Sequence, residues 1–507
     1  MATKRKPKQA VVVIHGMGEQ MPMEMVNSFT DAVWVQDPDL VARSEPDPNT
    51  GDTRTQNAIW SKPDRRNRSH ELHRLTTESD VSGRRTDFFE FYWAHRIHGT
   101  TLDQITSWVV DLLIRNPFKR VPRDVLSVWL LMWFLTLVFV AGTILAAAGI
   151  FETVDDPGTK TVMLAMLGLI STALFGWIKQ TVLIKILGDV VRYTKAKPLN
   201  IARRQEIREK GVELLETLMG VENDPQGSGR PKKKPPYDRI IVVAHSLGTI
   251  VAYDVLSLAY ARINQRLDAK KGAEGQTSIK AFETKISGQI SQMENGQPGQ
   301  LDIDEFQADQ ARAAAELTAL GSPWVVSDFV TLGSPLTHAE FLMSYDEDAL
   351  INAQTVRQLP TCPPQMEFDV RTQQKHFTYL PRYASIEEDT RMPHHAALFA
   401  FTRWTNIYSP RKNFLWGDIV SGPVGQHFGL SVKDKKTGET QRLSGIRDIA
   451  VLPERKSDGT PKDGLHVPFM THVSYWNMNA NAGEVSPNSP TPHHIQVLRR
   501  AINLLRT

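Results

Sequence analysis

Apolar positions along this chain follow several distinct periods, and each period predicts an element. Residues 10–14 (Ala-Val-Val-Val-Ile) and 239–243 (Arg-Ile-Ile-Val-Val) are short apolar runs without polar alternation, the pattern of strands buried on both faces. Residues 86–93, 325–332, 404–408 and 446–452 read as further strands. Residues 22–36, 200–220, 247–263 and 493–506 read as helices. Strands alternating with helices imply an α/β fold with a mainly parallel sheet covered on both faces. Residues 44–85 are rich in Asp, Arg, Ser, Thr and Asn and predict a solvated loop or disordered excursion. Residues 222–236, rich in Pro, Gly and Lys, read as a linker. Residues 264–321 are rich in Gln, Ala and Glu with few large apolar side chains, and predict a helical surface insertion or a lid.

Two apolar runs are of another kind. Residues 125–151 are 27 consecutive uncharged positions crowded with Leu, Val, Phe and Trp. A helix of that length reaches about 40 Å, enough to span a hydrocarbon core of about 30 Å with tilt. Residues 161–178 form a second uncharged run of 18, followed by Lys179, Gln180 and Lys185, which can snorkel to an interface. Gly142, Gly149, Gly168 and Gly176 allow two such helices to approach closely. Arg115, Lys119, Arg120 and Arg123 precede the first run, and Arg192, Lys195, Lys197, Arg203 and Arg204 follow the second. Between them lie Glu152, Asp155 and Asp156 with a single cation, Lys160. The positive-inside rule then places both flanks in the cytoplasm. The expected organisation is residues 1–115 and 199–507 forming one α/β domain, interrupted by a membrane hairpin over 116–198 with spans at about 125–151 and 161–187. That makes an integral membrane protein with both termini and the α/β domain cytoplasmic. The apolar stretch near the N-terminus is too short for a secretory signal.

The chain has 507 residues, room for roughly two to four domains. Its 59 Lys and Arg nearly balance 56 Asp and Glu, which excludes a globally basic nucleic-acid binder and an acidic disordered tail. The basic runs Lys4-Arg5-Lys6 and Lys232-Lys233-Lys234 read as solvated linkers or contacts to anionic lipid heads. The single cysteine, Cys362, excludes an intramolecular disulfide and a cysteine-based zinc site, and fits a reducing compartment. The pairs His394-His395 and His493-His494 lack a supporting carboxylate cluster and read as surface or structural histidines. No metal or organic cofactor is expected.

The chemistry is concentrated in residues 238–256, Asp-Arg-Ile-Ile-Val-Val-Ala-His-Ser-Leu-Gly-Thr-Ile-Val-Ala-Tyr-Asp-Val-Leu. An apolar strand meets Ala244-His245-Ser246-Leu247-Gly248 and then an apolar helix, the strand–turn–helix setting of a nucleophile elbow. Small residues are needed two before and two after the serine because strand and helix pass closely; here they are Ala244 and Gly248. The Leu247 amide then faces the place where an oxyanion forms, near the positive end of the helix. A second string follows the first strand: His15-Gly16-Met17-Gly18-Glu19-Gln20. It lacks the spacing of a phosphate-cradling glycine loop.

With these two strings the chain resembles the α/β-hydrolase superfamily, in particular its lipase and esterase branch. His-Gly-Met-Gly-Glu-Gln is similar to the corresponding string of a group of bacterial hydrolases and of some intracellular phospholipases. The resemblance covers 10–20, 86–93, 238–256, 325–337, 403–424 and 467–476, in the order the superfamily has them. It implies that Met17 supplies the second oxyanion amide, with His15, Gly16 and Gly248 supporting the motifs. The acid and the histidine should follow the serine in that order. The resemblance points to Asp418, in Gly-Asp-Ile-Val-Ser-Gly-Pro, with Asp434 and Asp448 as rivals. For the base, His472 lies after the last expected strand and before the terminal helix. His466 is its rival, while His427 is too near the acid loop and His376 violates the order. Ser334, next to Pro335, reads as part of a loop beside the site.

These readings together imply a membrane-anchored serine hydrolase that cleaves carboxylic esters, lipid esters first. Ser246 is the nucleophile, His472 the base and Asp418 its orienting acid, with the bilayer and a lipid ester as partners and no nucleic acid. The alternatives are an inactive membrane-attached scaffold on the same fold, or an esterase or thioesterase acting on lipidated protein.

Overall fold

The computed structural model describes residues 7–16, 21–42, 44–64, 71–96, 198–221, 235–264, 276–381, 390–410, 417–418, 420–452, 470–478 and 491–506, together with 126, 129–130, 133–134, 136–137 and 193–194. The two unbroken apolar runs become the central strands, β1 (Lys8–Ile14) and β5 (Arg239–His245). Around them lie β2 (Ile59–Pro63), β3 (His73–Ser79), β4 (Arg85–Phe91), β6 (Val326–Leu332), β7 (Arg403–Tyr408) and β8 (Arg447–Ala450). They form one eight-stranded sheet in the order β8-β7-β6-β5-β1-β4-β3-β2. Neighbours from β8 through β4 are parallel, and β3 and β2 close that edge antiparallel.

Because successive side chains on a strand point to opposite faces, β1 feeds two cores. Ala10, Val12 and Ile14 join the larger core, with Phe89, Phe91, Ile240, Val242 and Ala244 of the flanking strands. That face is covered by α2 (Pro198–Met219), α3 (Gly248–Ile263), α4 (Thr277–Glu294) and α5 (Ile303–Ala319). Val11 and Val13 point the other way, with Phe88, Ile241, Val243 and Val330, into a core covered by α1 (Glu24–Thr30), the turn that continues it and α6 (His493–Ile502). The architecture is therefore mixed α/β with a large, mostly parallel sheet.

Two segments differ from their sequence reading. Residues 44–85 hold β2 and β3, which extend the sheet, rather than forming only a solvated excursion. Their polar composition hid them because β2 is the edge strand, with no buried position, and the buried positions of β3 are mostly threonine. Polar anchors fix them instead. Trp34 Nε1 donates to Ala58 O (3.1 Å), Asn57 Nδ2 donates to the carbonyls of Trp34 and Asp37, and Arg54 pairs with Glu78.

The helices of 264–321 are also more deeply seated than a surface insertion. Ile279, Phe282, Ile286, Ile290 and Met293 recur at helical spacing on one face of α4 and are buried in the main core, as are Phe306, Ala313 and Leu317 of α5. Few large apolar residues suffice because all of them lie on the inward side.

The apolar runs at 125–151 and 161–178 fall outside the described residues, except for helical positions between 126 and 137. Among the described residues no helix is long and apolar enough to cross a membrane.

If α4 is part of the core, Phe282→Ala costs about 3–5 kcal/mol. Denaturant unfolding of wild type and variant checks this, and an unchanged midpoint would show that the insertion packs only loosely.

Candidate active site

The chain turns from β5 into α3 within two residues, and Ser246 carries the turn at φ +52°. A non-glycine residue in this left-handed region is strained and persists only where its surroundings hold it. Here the Ser246 N–H donates to Leu332 O of β6 (3.0 Å), and the Ser246 carbonyl accepts from Thr249 N–H (2.9 Å) and the Thr249 hydroxyl (2.7 Å). A Cβ on Gly248 would strike the His15 carbonyl oxygen and lie 2.7 Å from that of Ile14. A Cβ on Gly16 would lie 2.8 Å from Ser246 Cβ. The ends of β1 and α3 therefore touch backbone to backbone. The Leu247 amide sits one residue ahead of α3, where no intrahelical carbonyl is available to it.

The structure brings Ser246, His472 and Asp418 together in series. Ser246 Oγ lies 2.8 Å from His472 Nε2, and His472 Nδ1 lies 2.9 Å from Asp418 Oδ2. With Nδ1–H donating to the carboxylate, Nε2 is left as the acceptor for the serine hydroxyl. His472 stands on the one-turn helix Met470–Val473, and Asp418 on the loop after β7. Gly333, at φ +58°, makes room for this approach. A Cβ there would lie 2.7 Å from the Tyr475 ring and 3.2 Å from the His472 ring.

Asp418 is fully buried, and burial by itself would raise its pKa. The adjacent His472 imidazole and hydrogen bonds from His472 and Tyr475 outweigh that and hold the carboxyl well below the usual carboxylate range. Its other oxygen, Oδ1, accepts from Val420 N–H (2.9 Å).

Two histidines support the site in neutral form. Burial depresses His15 to about 4 and His245, also beside the His472 ring, to about 3. Trp93 N–H donates to His15 Nε2 (3.0 Å), so His15 carries its proton on Nδ1 and donates to Gly16 O (2.8 Å). Trp93 stacks on the ring (4.9 Å, 7°) and its indole N–H donates to His15 O. The His-Gly pair is thus clamped to the end of β4. His245 Nε2–H donates to the main-chain carbonyl of His472 (2.7 Å), tying the histidine turn to the residue that precedes the serine.

Of the other sequence candidates, Met17 and His466 lie outside the described residues. Asp448 is occupied as a backbone clasp, accepting from Val424 N–H, Gly425 N–H and Asn406 Nδ2. Asp434 caps a turn through Lys436 N–H (2.7 Å). His427 sits on the short helix Gly425–Phe428. His376 lies between Glu283 (2.7 Å) and Thr372 (2.7 Å), binding the hairpin that follows Glu367 to α4. Ser334 is buried beside the site, where its hydroxyl caps Leu336 N–H and meets Thr249 Oγ1 (2.8 Å). His394, His395 and His494 each face a main-chain carbonyl oxygen, and among the described residues no cluster is arranged to hold a metal.

Sequence reasoning missed Tyr475 and the anchoring role of His245. The only signal for Tyr475 was its place three residues after His472, on the same turn.

Fold and geometry thus define a mixed α/β protein with a hydroxyl–imidazole–carboxylate series at the carboxyl edge of its parallel strands. Comparison with family models, curated proteins and solved structures gives no match.

Two outcomes follow from these contacts. Gly333→Ala, with no space and an unfavourable φ, should push Tyr475 and His472 out of register, and a crystal structure or histidine NMR of the variant reads this. The second concerns acid. A buried neutral histidine binds its proton only below its lowered pKa, while the unfolded chain binds it below about 6.5. His245 therefore withdraws stability as pH falls from about 6.5 to 3, and Asp418 adds acid loss only below about 4. Glu90, pushed up to about 7 by burial, acts in the opposite sense between about 4.5 and 7. His245→Gln, which keeps a donor for the His472 carbonyl, should flatten the fall in Tm between pH 6.5 and 4.

Proposed function

We propose that this chain is a serine ester hydrolase of the α/β-hydrolase type that works through an acyl-enzyme. The observation that carries the reading is the unbroken Ser246–His472–Asp418 series, with Ser246 held at positive φ on a strand-to-helix turn. Ser246 Oγ attacks an acyl carbonyl while His472 Nε2 takes its proton. Asp418 holds the imidazole in the required tautomer and offsets the imidazolium charge. The Leu247 amide, and by resemblance that of Met17, receives the oxyanion. His472 then returns the proton to the leaving alkoxide. Water, deprotonated by the same imidazole, releases the acid and restores Ser246. No step calls on a metal or an organic cofactor.

A lipid ester is the substrate class we favour, with the protein held at a cytoplasmic membrane face. The uncharged runs at 125–151 and 161–178 support this. So does the stripe Leu130, Phe134 and Leu137, which is 53%, 61% and 57% exposed at helical spacing. The strand β4 is parallel to β1 and β5, so the chain leaves β4 toward these runs at the sheet edge where Ser246 sits. Beside His472, Val473 is an apolar side chain 49% exposed.

Fluorophosphonate labelling of the detergent-solubilised chain tests the reading. Wild type should label, and Ser246→Ala and His472→Ala should lower the rate by about a thousandfold or more. Faster turnover of phospholipid or acylglycerol in mixed micelles than of a water-soluble short-chain ester would support the lipid assignment. A folded wild type that fails to label with and without micelles would refute hydrolysis and favour a scaffold.

A further inference from the structure

We infer that Tyr475 is a positioning residue whose hydroxyl sets how much of the Asp418 charge reaches His472. The inference rests on the hydrolase reading above.

The Tyr475 hydroxyl donates to Asp418 Oδ2 at 2.8 Å, and His472 Nδ1–H donates to that same oxygen. The two donors therefore share one oxygen, while Oδ1 is taken by Val420 N–H. With its own hydrogen committed to Asp418, the phenol oxygen accepts from Ser409 N–H (2.9 Å) and from the Ser421 hydroxyl (2.9 Å). One bond donated and two accepted leave the hydroxyl no freedom to rotate away. Tyr475 is fully buried, and burial, with the Asp418 charge beside it, raises its pKa well above the ordinary tyrosine value. It therefore remains a donor at every pH at which the site works.

The contact joins three separate parts of the chain. Ser409 follows β7 directly, Asp418 and Ser421 belong to the acid loop, and Tyr475 follows the short helix that carries His472. A ring alone would fill the same space; only the hydroxyl makes these bonds.

Its electrostatic effect has a definite sign. A donor on Oδ2 draws off part of the carboxylate charge that otherwise stabilises imidazolium. Among the described residues the groups facing His472 are Asp418, Ser246, Tyr475 and His245, whose ring centroid is 4.9 Å away. His245 is neutral above about pH 3, so Asp418 is the only one of these that is charged in the working range. Without the tyrosine hydroxyl, more of the Asp418 charge is left facing the His472 ring.

The test is the pH dependence of fluorophosphonate labelling of the full chain in detergent, for wild type, Tyr475→Phe and Ser421→Ala. The Phe variant keeps the ring that packs against Gly333. It should show an acid limb moved to higher pH by about half a unit or more, and a plateau rate about three- to tenfold lower. Ser421→Ala, which removes a donor to the phenol, should move the limb the same way by less. It carries the test if the Phe variant does not fold, as judged by thermal unfolding. A lower melting temperature or plateau with an unmoved limb in both variants would make Tyr475 purely structural and overturn the inference. A wild type that labels at no pH would instead overturn the hydrolase reading itself.

Discussion

The geometry of this edge of the sheet depends on how closely the start of α3 approaches the end of β1. Gly248 sits against the carbonyls of Ile14 and His15, and Gly16 sits against Ser246. Only backbone can pass at these two points. The left-handed conformation of Ser246 costs on the order of 1–3 kcal/mol. Burial of β1, β5 and the first two turns of α3 offsets it, because relaxing the turn would open two cores at once. The direction of the Ser246 hydroxyl is thus a by-product of packing that extends through the whole sheet.

Around the serine, charge among the described residues is concentrated on a single group. Asp418 is an ionised carboxylate in a fully buried place, a costly arrangement unless its oxygens are filled. They are filled by an imidazole, a phenol and a backbone amide. Burial keeps His15 and His245 uncharged, and each one's tautomer is set by a partner of fixed polarity: a backbone N–H for His15, a backbone carbonyl for His245. In the proposed reaction the new positive charge arises on His472, next to Asp418, the carboxylate that accepts its Nδ1–H. Asp448, equally acidic in sequence, is spent on backbone amides and has burial raising its pKa instead.

The periphery shows the opposite balance of polar and apolar forces. The edge strands β2 and β3 are held by anchors such as Asn57 and the Arg54–Glu78 pair, which composition alone registers as loop. The helices α4 and α5 carry few large side chains but place them all inward, so their average composition understates how firmly they are seated.

The sequence by itself determined the elements whose burial is complete. A strand covered on both faces is apolar through its middle, so β1 and β5 were legible as runs, and the elbow was legible because glycine is the only residue that fits where two backbones touch. Chain order and resemblance were enough to nominate Asp418 and His472 from among several carboxylates and histidines. Only the tertiary structure decided which of them face each other. Asp418 and His472 are 54 residues apart, and His472 is 226 residues from Ser246. Their meeting depends on the register of β5, β6 and β7, and on a glycine at position 333 that lets the histidine turn settle against the sheet. Tyr475 was invisible for the same reason: a hydroxyl acquires its role from three partners more than fifty residues away in the chain, and no local pattern records such a meeting.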